Sequence, residues 1–297
     1  MITLAVVNRA ESFERMATPL AERGVELEHV PATGRSFPLA SPARAGPEID
    51  PDAIDVGFVY PGRLMEGAVL DAAIDVPWVN GRDAVLRSRN KAGVIARLSE
   101  AGIPVPKTVM LSSPVEEAEI LEAADRLGYP LVVKPNSTTR GTGVAKAEDP
   151  DSVLGICDYL DLVHDYRATG DKSFLLQEFL PDAMDYRAMV LDGHYAGAVE
   201  RRLYAVSGGT DGNPGRWKHN VHRGGEATGV DFGDERRELV ERVADELDID
   251  ILGVDLLETD DRVVITETNA RPTIDAATKY EPDFYDRLAA LVRSRKW

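Results

Sequence analysis

An isolated acid in an apolar segment and two polar side chains further along the sequence have the types and spacing of a metal site. Asp255 is the one charged residue of the stretch 253–257, which has the composition of a buried β-strand. Glu267 and Asn269 are two residues apart in a second apolar stretch, so both point to the same face of that strand. Two facing strands would bring these three oxygen donors together, and Mg²⁺ prefers such ligands. The alternative is that Asp255 and Glu267 pair with arginines on a solvated sheet face.

A lysine and a glycine-containing loop form a second candidate site, for phosphate. Lys134 ends an apolar β-like run, and the small polar segment 136–143 that follows contains Gly141, Thr142 and Gly143. Backbone N–H groups of such a loop can contact phosphate oxygens, with the lysine as a nearby cation. The segment lacks the Gly-Lys-Ser/Thr of a Walker A motif, so an ordinary hairpin loop is the alternative.

Two further segments carry groups suited to nucleotides and anions. A β-like run ends in Gln-Glu-Phe-Leu at 177–180, where the change from strand to loop offers backbone groups to an adenine edge and Asp182 to ribose hydroxyls. An ordinary strand end is the alternative there. Cations are scarce in this chain, but several lie between residues 187 and 223, and guanidinium groups suit carboxylates and phosphates. The cations are Arg187, Arg201, Arg202, Lys218 and Arg223, and the neutral amide of Asn220 lies among them.

The charge balance and the cysteine count narrow the classes of function. The 297 residues include 51 acidic and 34 basic side chains, for a net charge of −17, with 28 aspartates and 8 lysines. A field of this sign repels phosphate backbones, so nucleic-acid binding is disfavoured. An Asp-rich, Lys-poor surface resembles that of halophilic proteins, whose carboxylates keep them dissolved in concentrated salt. The single cysteine, Cys157, excludes a disulfide framework or a multi-cysteine metal site.

The sequence also shows no sign of membrane insertion or export. No apolar run approaches the roughly 18 residues of a membrane span. The first residues lack the basic region and the cleavage site of a secretory signal, so a cytoplasmic location is expected.

The elements that must position the candidate residues follow from the hydrophobic periodicity. Strands at 2–7, 25–30, 54–60 and 76–80 and a helix at 14–23 indicate a small parallel α/β domain. No Gly-x-Gly-x-x-Gly follows the first strand, so an independent dinucleotide site is not expected. Further on, the patterns predict helices at 83–101, 114–127, 150–159 and 235–247, a strand at 129–135, and an antiparallel sheet of strands at 175–179, 186–191, 195–202, 254–259 and 263–268. We expect domains at 1–88, 89–174 and 175–297.

In their order and spacing these segments resemble one family, the ATP-grasp carboxylate–amine ligases, and within it the RimK-like glutamate ligases. The resemblance runs from about residue 87 to 269. Its motifs are Arg89-Asn90-Lys91 and Val133-Lys134-Pro135 for the two ATP lysines, Gly141-Thr142-Gly143-Val144 for the phosphate loop, Gln177-Glu178-Phe179-Leu180 for the adenine hinge, Asp185-Tyr186-Arg187, Glu200-Arg201-Arg202, the segment 220–225, Gly253-Val254-Asp255, and Glu267-Thr268-Asn269. The fold that this resemblance implies is α/β, with an α+β C-terminal half: an ATP-grasp fold preceded by a Rossmann-like N-terminal domain.

The resemblance also implies a set of roles. It implies an amide-forming reaction through an acyl phosphate, with ATP and Mg²⁺ (Mn²⁺ as an alternative) and two metal ions. The partners would be a small-molecule or peptide carboxylate acceptor and an amino acid, above all L-glutamate, with neither nucleic acid nor membrane; a homo-oligomer is left open. Asp255, Glu267 and Asn269 would bind the metal. Lys134, Arg201 and Arg223 would act on the transferring phosphoryl group, and Arg187, Arg201 and Arg271 on substrate. The nucleotide would be held by Lys91, Lys134, Gly141, Thr142, Gly143, Gln177, Glu178, Phe179, Leu180, Asp182, Asp185, Lys218 and Asn220.

The chain departs from the family pattern at several places, and the departure after Asn269 bears on the acceptor. Residues 203–216 contain an inserted stretch, and after Asn269 the chain reads Ala-Arg-Pro-Thr in place of a small residue followed by Pro-Gly. Arg271, in that segment, has a structural alternative as the partner of Asp275 or Glu281. Three other functions remain open at this point: a dipeptide or D-alanine-type ligase, a kinase that stops at phosphorylation, and a non-catalytic nucleotide-binding regulator.

Overall fold

Three β-sheets organise the chain. The computed structural model describes residues 1–7, 11–40, 49–138, 142–166, 171–203, 225–276 and 279–296, and its strands form sheets of four, five and four strands. No helix within these ranges is long and apolar enough to cross a membrane.

The N-terminal sheet is parallel, as the sequence predicts. Its strands are β1 (Ile2–Val6), β2 (Val25–His29), β3 (Val56–Phe58) and β4 (Trp78–Val79), with helices α1 (Glu11–Ala21) and α2 (Leu64–Ile74). The strand order is β2-β1-β3-β4, so β2 and β3 lie on opposite sides of β1. In open α/β sheets such a reversal opens a crevice at the carboxyl ends of the strands, which is where ligands bind.

Two helices follow where the sequence predicts one at 83–101. They are α3 (Arg82–Arg89) and α4 (Lys91–Glu100), and the single-helix prediction is therefore wrong. The break is at Asn90, whose side-chain oxygen accepts a hydrogen bond from the Gly93 N–H at 3.0 Å and so caps α4. The new helix start makes Lys91 the first residue of α4, with its side chain directed into the site described below.

The central sheet has the order β5-β8-β6-β7. Its elements are β5 (Thr108–Ser112), α5 (Glu117–Leu127), β6 (Leu131–Pro135), β7 (Ala145–Ala147), α6 (Pro150–Tyr166) and β8 (Ser173–Glu178). Leu131, Val133 and Leu176 share an apolar core with α5 and α6 on one face. Because side chains alternate along a strand, Lys134 and Gln177 project from the other face.

The C-terminal sheet is antiparallel, as predicted, in the order β11-β10-β9-β12-β13. The prediction that the strand at 175–179 belongs to this sheet is wrong, because that strand is β8, which pairs with β5 and β6 in the central sheet. Its strands are β9 (Met184–Leu191), β10 (His194–Leu203), β11 (Gly225–Val230), β12 (Ile251–Glu258) and β13 (Val263–Asn269), with helices α7 (Asp234–Leu247) and α8 (Phe284–Arg295). Asp255 lies opposite Glu267, but Leu256 lies opposite Ile265. Thr266 is therefore an extra residue in β13, a β-bulge beside the proposed metal ligands.

Packing crosses the predicted domain boundaries. Helix α8 at the end of the chain contributes Phe284, Leu288 and Val292 to the core of the N-terminal sheet. Helices α3 and α4 contribute Val85 and Leu98 to the core beneath the C-terminal sheet. The boundaries at 88 and 174 stay predictions, and the first falls inside α3.

Candidate active site

Asp255 is the centre of a buried cluster of charges. It lies on β12, directly across from Arg187 on β9. The Arg187 guanidinium donates to both carboxylate oxygens, at 2.6 and 2.7 Å, and Arg201 of β10 donates to Oδ2 at 3.2 Å. Burial alone would raise the pKa of Asp255, but the two guanidinium charges outweigh it and lower that pKa to about 2. Asp255 is thus ionised at neutral pH, and the arginine pairing foreseen as the alternative is present, although in a buried site.

Asp185 extends this cluster along β9. It accepts from Arg201 Nε at 3.0 Å, so Arg201 lies between two carboxylates. Burial raises the pKa of Asp185 to about 6, and the Arg201 charge opposes that shift only in part. The positive charge of Arg201 is therefore shared by Asp185 and Asp255.

Glu267 faces two buried lysines. Lys91 Nζ is 3.5 Å from Glu267 Oε1 and also donates to the backbone carbonyls of Asn136, at 3.4 Å, and Thr138. Lys134 Nζ donates to the Gln177 side-chain oxygen at 3.0 Å and to the Thr266 carbonyl at 3.3 Å. Lys91 and Lys134 are only 5% and 6% exposed. A lysine is rarely buried so deeply unless its charge is paired.

Burial is also the main influence on the Lys134 amine. It lowers the pKa of Lys134 to about 8, although the Glu267 charge favours the protonated form. An amine held in this way gains from a bound polyanion, because phosphate oxygens replace the hydration that burial removed. Lys134 is therefore suited to binding phosphate.

The chemistry of the oxygen donors fits a hard divalent cation. Asp255, Glu267 and Asn269 provide two carboxylates and an amide oxygen, the ligand types that Mg²⁺ accepts. An ionised carboxylate offers about four lone-pair sites, of which Arg187 and Arg201 occupy three at Asp255. Asn269 Oδ1 accepts from the Arg271 N–H at 2.9 Å. No group of three His, Cys, Asp or Glu side chains in the described ranges forms a metal cluster, so the candidate set depends on the Asn269 amide.

The predicted adenine hinge lies at the end of β8. Gln177 also donates to the Thr108 hydroxyl at 2.8 Å, while Glu178 accepts from the Lys107 N–H at 2.7 Å and pairs with Arg262 at 2.9 Å. The Lys146 amine lies 4.4 Å from the centre of the Phe179 ring. A cleft of about 510 Å³ opens beside the hinge, lined by Tyr129, Pro130, Lys146, Glu178, Phe179 and Pro181.

The other predicted site residues are half-buried or exposed, or lie outside the described ranges. Leu180 is half-buried beside the hinge, and Asp182 is exposed in the turn between β8 and β9. Thr142 and Gly143 are exposed in the loop between β6 and β7, where the φ of +78° at Gly143 and the nearby Pro135 ring exclude a larger residue. Four predicted residues lie outside the described ranges, namely Gly141, Lys218, Asn220 and Arg223.

Three polar residues that hold the site together were not found by sequence reasoning. Asn80, which is 1% exposed, donates to the Ile251 and Ala270 carbonyls and accepts from the Ile251 N–H at 3.0 Å. Ser88 Oγ lies 3.1 Å from Thr268 Oγ1 and accepts from the Ala270 N–H at 3.0 Å.

The third of these residues, Asn136, connects α4 to the phosphate loop. Its side chain accepts from the Ala92 N–H at 2.8 Å and donates to Asn90 Oδ1 at 3.0 Å. An amide directly after Lys134-Pro135 was the available sequence signal, because amides commonly satisfy backbone groups at helix starts and turns.

The fold and this arrangement of charges define an ATP-grasp protein. The solved structure of a RimK domain ATP-grasp protein from Sphaerobacter thermophilus DSM 20745 matches 98% of this chain and 99% of its own, with a TM-score of 0.70 and 22% identity. The predicted fold class is confirmed. The family model of the RimK-like ATP-grasp domain matches residues 88–286, and the chain belongs to that family.

Curated relatives cover a shorter stretch. The probable alpha-L-glutamate ligase 2 of Shewanella frigidimarina is 30% identical over 68% of this chain and 62% of its own. The ribosomal protein bS6–L-glutamate ligase of Escherichia coli O139:H28 is 28% identical over the same shares. The chain spans between about half and two thirds of the length of the first curated relatives it matches.

Proposed function

We propose that this protein is an ATP- and Mg²⁺-dependent ligase that joins L-glutamate to a carboxylate acceptor through an amide bond. The observation that supports this most is the pair of buried lysines, Lys91 and Lys134, opposite the carboxylates of Asp255 and Glu267. Buried cations beside carboxylate oxygens suit a phosphate chain whose charge is shared by amines and a metal ion.

In this proposal the two lysines bind ATP phosphates, and Gln177 fixes the Lys134 amine by accepting its hydrogen bond. The hinge residues 178–180 contact adenine. Asp255, Glu267 and Asn269 hold Mg²⁺, with Mn²⁺ as an alternative and two ions expected. When bound, the metal neutralises charge on the transferring phosphoryl group. Arg201 and Arg223 add positive charge next to that group.

The proposed reaction has two steps. A carboxylate oxygen of the acceptor attacks the γ-phosphorus of ATP, the bond to the bridging oxygen breaks, and ADP leaves behind an acyl phosphate. The neutral amine of the amino acid then attacks the acyl carbon, phosphate leaves, and the amine proton passes to solvent or phosphate. The products are an amide, ADP and phosphate, and no covalent bond to the protein is needed.

The acceptor is proposed to be a small molecule or a peptide that carries a free carboxylate. One relative is named for a protein acceptor, the ribosomal protein bS6. The strongly negative net charge of this chain argues against a nucleic-acid partner. A cytoplasmic location and the domain boundaries at 88 and 174 remain predictions from the sequence.

The test is a screen in molar potassium chloride that pairs each amino acid with carboxylate acceptors, including peptides. ADP release and the mass of the product are measured together. We expect an amide product with glutamate, and its loss in Lys134→Met. ADP release with a phosphorylated product and no amide would indicate a kinase, and preference for a neutral amino acid would indicate another ligase of this fold. Nucleotide binding with no ADP release across the screen would indicate a regulator.

A further inference from the structure

The loop after β3 lies at the position where an open α/β sheet binds ligands. It begins at the carboxyl end of β3, next to β1, where the strand order reverses. Val59, the first residue of this loop, has a φ of +57°, which a β-branched residue adopts rarely. Backbone conformations of this kind cluster at ligand-binding sites, where the surrounding structure maintains them.

Two guanidinium groups contact one residue of this loop, Gly62. Arg89, the last residue of α3, donates from Nη2 to the Gly62 carbonyl at 2.8 Å. Arg271 reaches the same residue from beyond β13, and its Nη1 would lie 2.2 Å from a Cβ placed on Gly62. Gly62 therefore leaves room for the Arg271 head group, and the loop brings two cations together between the N-terminal and C-terminal sheets.

Both arginines border the charged cluster of the proposed active site. Arg89 is two residues before Lys91, whose amine contacts Glu267. Arg271 is two residues after Asn269, and its backbone N–H donates to the Asn269 side chain at 2.9 Å. A molecule bound at Gly62 would therefore lie near Lys91, Glu267 and Asn269, the residues proposed to bind phosphate and metal.

The surroundings of Arg89 differ from those of the other site arginines. Arg187 and Arg201 are both bonded to Asp255. Within the described ranges, the bonding partner of Arg89 is the Gly62 carbonyl and no carboxylate pairs with it, in a chain with 51 acidic residues. Burial lowers the pKa of Arg89, which means that neighbouring groups do not compensate for the loss of hydration of its guanidinium group.

We propose that Gly62, Arg89 and Arg271 form a subsite for a carboxylate of the substrate that does not react. The inference rests on the proposed ligase function and adds specificity-determining residues to it: Gly62, Arg89 and Arg271 would select the substrate that carries such a carboxylate. Paired guanidinium groups bind carboxylates through several parallel N–H···O bonds, and a lysine cannot reproduce that geometry.

Two substrates can supply this carboxylate, the incoming amino acid and the tail of the acceptor. Binding is measured with pairs that differ only in that charge: L-glutamate against L-glutamine, and the dipeptide Glu-Glu against Glu-Gln. The readout is the ligand-induced rise in Tm with Mg²⁺ and ADP present, followed by the KM of each compound in the amide assay. The pair that shows the preference for the acid identifies the source.

The variants are Arg89→Met and Gly62→Ala, and the control is Gly155→Ala. The methyl group of Gly62→Ala displaces the Arg271 head group without changing Arg271 itself, whereas a Cβ on Gly155 meets no atom within 4 Å. We expect both test variants to weaken binding of the acidic member of one pair by about ten- to a hundredfold, the loss typical of a bond to a charged group. The neutral member and ATP should be affected little.

Arg89→Lys separates charge from geometry and should recover only part of the preference. Absence of a preference for the acid in the wild-type protein, or a preference that persists in both test variants, would overturn the subsite. Acid-selective binding that depends on Arg89, in a protein that forms no amide, would instead contradict the ligase function and leave the subsite standing.

Discussion

Arg187 binds both carboxylate oxygens of Asp255 through two nitrogens of its guanidinium group, Nε and Nη2, across the pairing of β9 with β12. Sequence reasoning assigned Arg187 to substrate and Asp255 to metal, and the structure brings them into contact. A divalent cation on Asp255 must take the remaining lone pair or replace a guanidinium hydrogen bond. Arg187 therefore sets the orientation and the charge of the carboxylate that the cation meets.

Because of this contact, Asp255→Asn and Glu267→Gln should behave differently. Each removes one anionic oxygen donor, so both should abolish turnover. Asp255→Asn also removes the charge that neutralises Arg187 and Arg201, and should cost about 1.5–3 kcal/mol of unfolding free energy. Glu267→Gln should lower the unfolding free energy by less, because the Glu267 side chain is about a third exposed. Turnover and urea unfolding measured on both variants test this, and full activity in either contradicts the metal assignment.

The low pKa of Lys134 predicts that nucleotide affinity depends on pH. The amine of the free protein loses its proton above about pH 8, and bound phosphate restores it. The Kd of ADP should therefore rise roughly tenfold between pH 8 and pH 9 and change little from pH 6 to 7.5.

Lys134→Arg provides the control, since a guanidinium stays charged throughout this range. Its Kd should show no inflection near pH 8. Calorimetric titration at several pH values measures both proteins, and an identical pH profile in the two would exclude Lys134 as the titrating group.

The net charge of −17 predicts a stability that depends on salt. Repulsion among surface carboxylates acts over about 10 Å at 0.1 M salt and about 3 Å at 1 M. Tm should therefore rise steeply from dilute buffer to molar potassium chloride, with sodium chloride giving the same trend. A Tm that does not change with salt would contradict the halophilic interpretation.

Ser88 should position Asn269, because it bonds to the residues on both sides of it, Thr268 and Ala270. Ser88→Ala should cost about 1–3 kcal/mol, since the buried Ala270 N–H loses its acceptor. It should also raise the Mg²⁺ concentration needed for half-maximal activity.

The matched control is Ser99→Ala, an exposed serine of α4, which should change stability by less than about 0.5 kcal/mol. Urea unfolding and magnesium titration measure the two effects. A stability loss in Ser88→Ala with unchanged magnesium dependence would mean that Ser88 has only a structural role.

The parts of the site that sequence reasoning identified are those with a local signal. An acid in an apolar strand and two polar residues at i and i+2 are visible without knowledge of the fold, and β12 and β13 confirm the predicted hairpin. Asn90 had a local signal that was missed. Asparagine is a common residue at the N-cap of a helix, where its side chain accepts from the N–H three residues later.

The parts that were missed depend on residues far apart in the chain. Asn80 bonds to residues 171 and 190 positions away, and no local pattern encodes that pairing. The partner of Arg187 likewise follows from the pairing of β9 with β12, which sequence periodicity does not specify. Arg89 belonged to a recognised motif, but its contact with Gly62 depends on how α3 packs against the loop after β3.

The extra residue in β13 makes the hairpin unequally tolerant of changes in length. Ile265 and Thr268 face the same core although they are three positions apart, because Thr266 shifts the alternation of the strand. Deleting Thr266 would restore the regular alternation and leave Glu267 and Asn269 on the side of the lysines, because Ile265 and Thr268 would then be two positions apart. Deleting Thr268 instead would turn Asn269 into the core, so the strand tolerates the loss of a residue at the bulge but not beyond it.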